Sequence, residues 1–319
     1  MGKSRKAVDA STSNAGDDFH LLWAVRRCFE LLKPDTKLKA VKPEGVTPVD
    51  AAEIDSTGHA FLSVDLTEYF EGLDLRSSSV VKYSQLKYST TSPSAPWTLA
   101  AVISGKKSRS ADGSLIRRFA DTFKKHREVH GRDLVIAKLQ MGLVSNRPTC
   151  GLLLAAEQAA KAELANAAVR NKASLLKSLG TEHKSIIEQL SKASGLGSQD
   201  FCDFLRILDL TSDTAELSRT RQEIEVTRSL GDLGFYETSH QRALLKTRIA
   251  DLSLPNETAS ITRDEMVAML HGGQYASIFP SVSSIDPGDK LVFREQSMDI
   301  AKEIASESSS LLCIHGGGG

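Results

Sequence analysis

The sequence predicts an α/β unit over residues 1–150 followed by a mainly α-helical region, and three observations carry that prediction. The first is the stretch Ser79 to Thr90, β-branched and aromatic at its start, which reads as a strand. The second is the mixture of such strands with helical three- and four-residue apolar spacing up to about residue 150. The third is a shift beyond that point to Ala, Leu, Glu and Lys with almost no strand signal.

Length and charge bound the function classes. At 319 residues the chain has material for two domains. Forty basic residues balance forty acidic ones, so any nucleic-acid surface must be local rather than a property of the whole charge. The four cysteines, Cys28, Cys150, Cys202 and Cys313, are widely spaced without a CxxC pair, which argues against a disulfide framework or a zinc site. No run of about 18 apolar residues occurs, so a soluble, cytoplasmic protein without membrane contact is expected.

Taken in order, Asp17 or Asp18 is placed to cap a helix through Phe19, Leu22, Trp23, Phe29 and Leu32, closed by Pro34. His20 on that helix reads as a packed side chain. Residues 37–46 alternate weakly through Leu38, Ala40, Lys42 and Glu44 and predict a first strand, with a polar loop over 49–59. Residues 60–70 predict a second strand that carries Asp65, an acid that costs stability in an apolar run unless paired, exposed or coordinating a cation. Gly72 and its polar neighbours allow this strand to fold back as a hairpin onto residues 79–90. Gln85 and Lys87 then project from one face, roughly 7 Å apart along the backbone, with Leu86 on the other.

Thr98 is a candidate cap for a short helix through Leu99 and Val102. Lys106, Lys107 and Arg109 follow in a loop, then a helix over 114–129 buries Leu115, Phe119 and Phe123. Its Arg117, Arg118, Lys124 and Lys125 lie off that stripe as candidate phosphate contacts or as a solvated face. Residues 134–144 predict another strand, turned off by Ser145-Asn146-Arg147-Pro148. Helices are then expected over 152–176, 185–196, 199–207, 215–233, 239–252 and 263–271, within a linker or regulatory region assigned to 151–308.

Residues 294–307 read as a last helix and Ser310 to His315 as a buried strand running into Gly316 to Gly319. A strand followed by glycines is how a phosphate-cradling loop begins. The Gly-Lys-Ser/Thr that completes such a loop is absent, so 309–319 is read as the start of a truncated P-loop NTPase module, with a glycine tail as the alternative. ATP would be engaged only through the missing downstream part.

Three segments carry a resemblance: Gly16-Asp17-Asp18-Phe19-His20, Val64-Asp65-Leu66-Thr67-Glu68-Tyr69-Phe70 and Tyr83-Ser84-Gln85-Leu86-Lys87-Tyr88-Ser89. Over about residues 14–150 they resemble the Mrr-like PD-(D/E)xK nucleases. The likeness is closer to the double-stranded DNA endonuclease effector at the N-terminus of bacterial antiphage defence proteins, often placed ahead of a STAND or AAA NTPase. The resemblance implies a restriction-endonuclease-like fold, with Asp65 as the central metal-ligand aspartate, Gln85 as a variant of the usual acidic ligand and Lys87 as the motif lysine. Glu44 matches the earlier acidic position, for which Asp50, Glu53 and Asp55 are alternatives.

Hard oxygen donors from Asp65, Glu44 and Gln85 suit Mg²⁺ or Mn²⁺, and Lys87 beside them suits a phosphate. With double-stranded DNA as the substrate and antiphage defence as the setting that the resemblance implies, the expected function is a Mg²⁺-dependent endonuclease, homo-oligomeric and answering to a phage-derived trigger. An RNA nuclease is a variant of the same reading. The alternative from a different class is a catalytically inactive nuclease-fold module that senses or assembles partners.

Overall fold

Residues 10–54, 64–90, 92–105, 113–166, 168–211, 218–254 and 259–271 are described in a computed structural model of the chain. The elements run α1 (Ala10–Phe29), a 3-10 turn (Glu30–Leu32), β1 (Leu38–Pro43), α2 (Pro48–Ile54), β2 (Leu66–Phe70), β3 (Val80–Lys87), α3 (Leu99–Ile103), α4 (Leu115–His130), α5 (Arg132–Lys138) and β4 (Leu139–Ser145). They continue as α6 (Gly151–Leu164), α7 (Lys172–Ser178), α8 (Thr181–Ser194), α9 (Ser198–Ile207), β5 (Leu208–Asp209), α10 (Arg219–Asp232), α11 (Thr238–Leu252), β6 (Ile261–Thr262) and α12 (Arg263–His271).

One six-stranded sheet results, ordered β5-β4-β3-β2-β1-β6. β1, β2 and β3 form an antiparallel meander. The β2–β3 connection needs Gly72, where a Cβ would meet the Ser78 backbone nitrogen at 2.4 Å. β4 then pairs with β3 in parallel, which requires the long helical crossover through α3, α4 and α5. On one face Tyr69, Val81, Tyr83 and Met141 are buried with Phe119 and Phe123 of α4 and with Phe201 and Phe204 of α9. On the other, Val41 and Leu66 are buried with Leu22 and Val25 of α1 and with Val226, Leu230, Leu245 and Ile249 of α10 and α11. Each such side chain contributes about 2 kcal/mol by leaving water, which fixes both helical layers on the sheet.

The sheet departs from the sequence reading in definite ways. The described residues up to Leu270 fall in one compact unit, and the helices beyond the expected boundary near residue 150 share the core of the sheet rather than forming a unit of their own. Two-residue strands β5 and β6, too short for any periodicity to register, extend its two edges. Residues 49–54 are helical rather than loop, with Pro48 at the first helical position where its missing N–H costs nothing. The apolar run 134–138 is the end of a helix, since burial without alternation suits either element. The helix expected over 152–176 is two, the second started by an Asn171–Ser174 capping box. α1 begins before Asp17 and Asp18, so neither is its cap; Asp18 instead pairs with Arg219 at 3.0 Å and with Lys246.

Thr98 and Ser114 cap α3 and α4, accepting from Ala101 N at 3.3 Å and Arg117 N at 3.1 Å. Cys28, Cys150 and Cys202 are free thiols. Among the described residues no helix is long and apolar enough to cross a membrane. The expected loop lysines Lys106 and Lys107 with Arg109, the helix 294–307, the terminal strand and the four glycines all lie outside the described residues.

Asp203 on α9 is fully buried and is held by Arg132 of α5 through two bonds of 2.7 and 2.8 Å. Removing the guanidinium strands a carboxylate out of water. Arg132→Ala is expected to lower unfolding stability by about 3 kcal/mol in a urea titration, whereas Asp133→Ala, at an exposed side chain, changes it little. Equal, small losses in both variants would contradict the pairing.

Candidate functional site

The site is built where β1 ends, β2 starts and β3 finishes. Just past β1, Glu44 and Gly45 both take left-handed backbone conformations, φ 51° and 89°. This turn lets the Glu44 N–H donate to the Asp65 carbonyl at 3.0 Å and the Gly45 N–H to the Val64 carbonyl at 2.9 Å. A glutamate in this region carries strain that the surrounding bonds must hold, a condition found often at functional sites.

Asp65 sits immediately before β2, its N–H donating to the Ser84 carbonyl at 3.0 Å. Its carboxylate Oδ2 accepts from the Leu86 N–H at 2.6 Å and from the Gln85 amide nitrogen. The hairpin register that pairs Leu66 with Ser84 therefore brings Asp65 onto the strand of the Gln-x-Lys pair. Gln85 is buried, and its Oε1 has no hydrogen-bond partner. Leu86, on the opposite face, joins Phe19 and Val144 in a small apolar cluster. Lys87, half-buried at the end of β3, is close enough for its charge to act on both Glu44 and His20.

Glu44 and Asp65 share a cleft of about 270 Å³ with Asp17 and His20 of α1 and with Ile249, Ala250 and Leu254 at the end of α11. Desolvation, then the charge of Asp65, pushes the Glu44 carboxyl up to about 7, opposed by Lys87 and Lys42. Glu44 is exposed at the rim, so solvent screens part of this effect. His20 is lowered from the usual imidazole value, first by burial; Asp65 opposes that shift and Lys87 deepens it. Burial thus favours its neutral form, a preference that the nearby Leu86 backbone opposes.

The structure brings Glu44, Asp65, Gln85 and Lys87 together and separates the other acids from them. Asp50, fully buried, accepts from the Tyr69 hydroxyl at 2.8 Å and from Leu75 N at 3.0 Å, and Glu53 pairs with Arg76 at 3.1 Å. Both have structural partners; Asp55 lies outside the described residues. The basic residues of α4 are not one free face. Arg117 pairs with Asp121 at 3.1 Å and reaches the Ser194 carbonyl of α8, Lys124 faces Glu128 at 3.8 Å, and Arg118 Nε is buried. Lys125 is half-buried on the same helix.

Two residues of the site escaped the sequence reading. His20 looked like a core histidine, and its only signal was a place one turn from Asp17. Lys42, buried on β1, donates from Nζ to the Leu252 carbonyl at 3.1 Å. An ammonium at a helix C-terminus is favourable, and here it holds the end of α11 against the cleft. Its signal was the alternation that put Lys42 in line with Glu44.

The raised Glu44 pKa has a definite sign in stability. A group whose folded pKa exceeds its unfolded value near 4.5 contributes fully below that value and loses the contribution as pH rises through about 7. In buffer with EDTA, Glu44→Gln is therefore expected to gain melting temperature relative to the parent chain between pH 5 and pH 8. A difference that stays constant over that range would contradict the assignment.

No protein-family profile matches the chain, and no curated protein matches it. Among solved structures, one similar chain is the Acinetobacter baumannii Cap4 SAVED/CARF-domain containing receptor, at 11% identity and a TM-score of 0.41. The match covers 85% of this chain and 48% of that one, so the chain spans about half the length of this neighbour.

Proposed function

We propose that the chain is a metal-dependent endonuclease that hydrolyses phosphodiester bonds of double-stranded DNA, built on a restriction-endonuclease-like α/β fold. The observation that carries the reading is the grip of Asp65 on Gln85 and Leu86 at a cleft shared with Glu44, beside the Lys87 charge. The order of elements supports it: a helix, a three-stranded meander, a helical crossover and a parallel strand, with the four residues at one end of the meander.

Asp65, Glu44 and the unpartnered Gln85 Oε1 are the groups that would hold Mg²⁺ or Mn²⁺, since these ions take hard oxygen donors. When bound, such an ion lowers the pKa of a water and neutralises charge on the phosphate. The chain's own residues do the rest. Lys87 orients the attacking water and stabilises negative charge on the phosphoryl oxygens. The Leu86 N–H and the Gln85 amide hold the Asp65 carboxylate in one orientation. Because Gln85 stands where an acid would add a negative charge, cation affinity is completed by the DNA phosphate, and resting activity is low. The setting we propose is antiphage defence, with a homo-oligomeric chain released by a phage-derived trigger.

One observation favours a second reading, a non-catalytic module that assembles partners. Among the described residues no group of three or more His, Cys, Asp and Glu side chains is placed to hold a metal ion, and the Gln85 amide already satisfies Asp65 without a cation. The two readings separate in one assay. Purified protein is expected to nick supercoiled plasmid with Mg²⁺ and not with EDTA, and Lys87→Ala to lose at least about a hundredfold in rate with an unchanged circular dichroism spectrum. Cleavage by the variant at the parent rate would refute the role of Lys87, and none by the parent chain would favour the assembly module.

A further inference from the structure

The strand that carries Lys87 remains held beyond the end of its ladder. The last β3–β4 pair is Lys87 with Ser145. The next residue, Asn146, is 8% exposed, and its side chain takes over: the Ser89 N–H donates to Asn146 Oδ1 at 2.9 Å, and Asn146 Nδ2 donates to the Ser89 carbonyl at 2.8 Å. A carboxamide offers the same donor and acceptor as a peptide unit, so it supplies both bonds that a paired strand would have given Ser89.

The surroundings fasten the same segment a second time. Ser145 Oγ accepts from Trp97 Nε1 at 2.9 Å and from the Arg147 N–H at 3.1 Å. The Arg147 guanidinium lies 4.7 Å from the centre of the Trp97 ring and donates to the Ala95 and Pro96 carbonyls at 2.6 and 3.0 Å. Trp97 N donates to the Pro148 carbonyl at 2.6 Å. The chain leaving Lys87 is thus tied near both its beginning and its end to the turn that follows β4.

We infer that Asn146 is a positioning residue for Lys87. A lysine reaches its target through a flexible four-carbon stem, so the placement of its ammonium depends on a fixed main chain on both sides. The Lys87–Ser145 pair fixes one side and the Asn146–Ser89 pair the other. The consequence for catalysis rests on the nuclease reading; the geometric claim does not.

The test uses Asn146→Ala and Asn146→Asp in the full chain, the second keeping an acceptor for the Ser89 N–H while losing the donor. With supercoiled plasmid and Mg²⁺, kcat is expected to fall roughly tenfold to a hundredfold while KM for DNA stays within about twofold. A residue that only staples the turn would lower melting temperature and leave kcat of the folded fraction alone, and that result would overturn the inference. If the alanine variant does not fold, the aspartate variant decides on the same readout. If the parent chain cleaves nothing, the nuclease reading falls and NMR of ¹³C-methylated lysines decides the geometric claim. A changed Lys87 signal in the Asn146 variants supports it, and an unchanged one overturns it.

Discussion

The Asp65 carboxylate is the constraint on which the site depends. One oxygen receives both the Gln85 amide and the Leu86 N–H, and this happens where the backbone ladder of the meander begins. A carboxylate accepting two donors is held in one orientation. Its main chain is held as firmly, since its carbonyl accepts from Glu44 and its N–H donates to Ser84. Three strand ends are thereby tied together, and the left-handed turn at Glu44 brings a second acid into the same cleft. Burial first, and then the charge of Asp65, push the Glu44 carboxyl up.

The helices beyond residue 150 do not hang from this unit; they finish it. α10 and α11 bury Val226, Leu230, Leu245 and Ile249 in the core shared with α1 and β1. Arg219 and Lys246 converge on Asp18, and Lys42 holds the α11 C-terminus. The result is a wall along the cleft that carries Glu44 and Asp65. Arg132 and Asp203 do the equivalent work on the other layer, joining α5 to α9. A long helical stretch is easily mistaken for a separate domain when its apolar stripes are assumed to pack on one another.

Much of the site was legible because period-two spacing is a strong geometric statement. Gln85 and Lys87 share a face, Leu86 packs on the other, and the hairpin delivers Asp65, all from alternation and one glycine turn. The choice of Glu44 over Asp50 and Glu53 was not legible. It depends on the Tyr69 hydroxyl and Arg76 claiming those two acids, contacts set by tertiary packing. β5 and β6 were invisible because two residues have no period, and residues 134–138 were misread because an apolar run without alternation fits a helix end as well as a strand. Asn146 read only as a turn residue; its double bond to Ser89 needs a parallel register that no local pattern records.

In the proposed nuclease, Asp65 anchors a divalent cation beside the scissile phosphate. Electron paramagnetic resonance of Mn²⁺ titrated into protein with a short DNA duplex, set against the duplex alone and against an Asp65→Asn variant, tests it most directly. An added protein-held Mn²⁺ is expected in the ternary sample, and the variant is expected to lose it. Identical Mn²⁺ binding by the parent chain and the variant would contradict it.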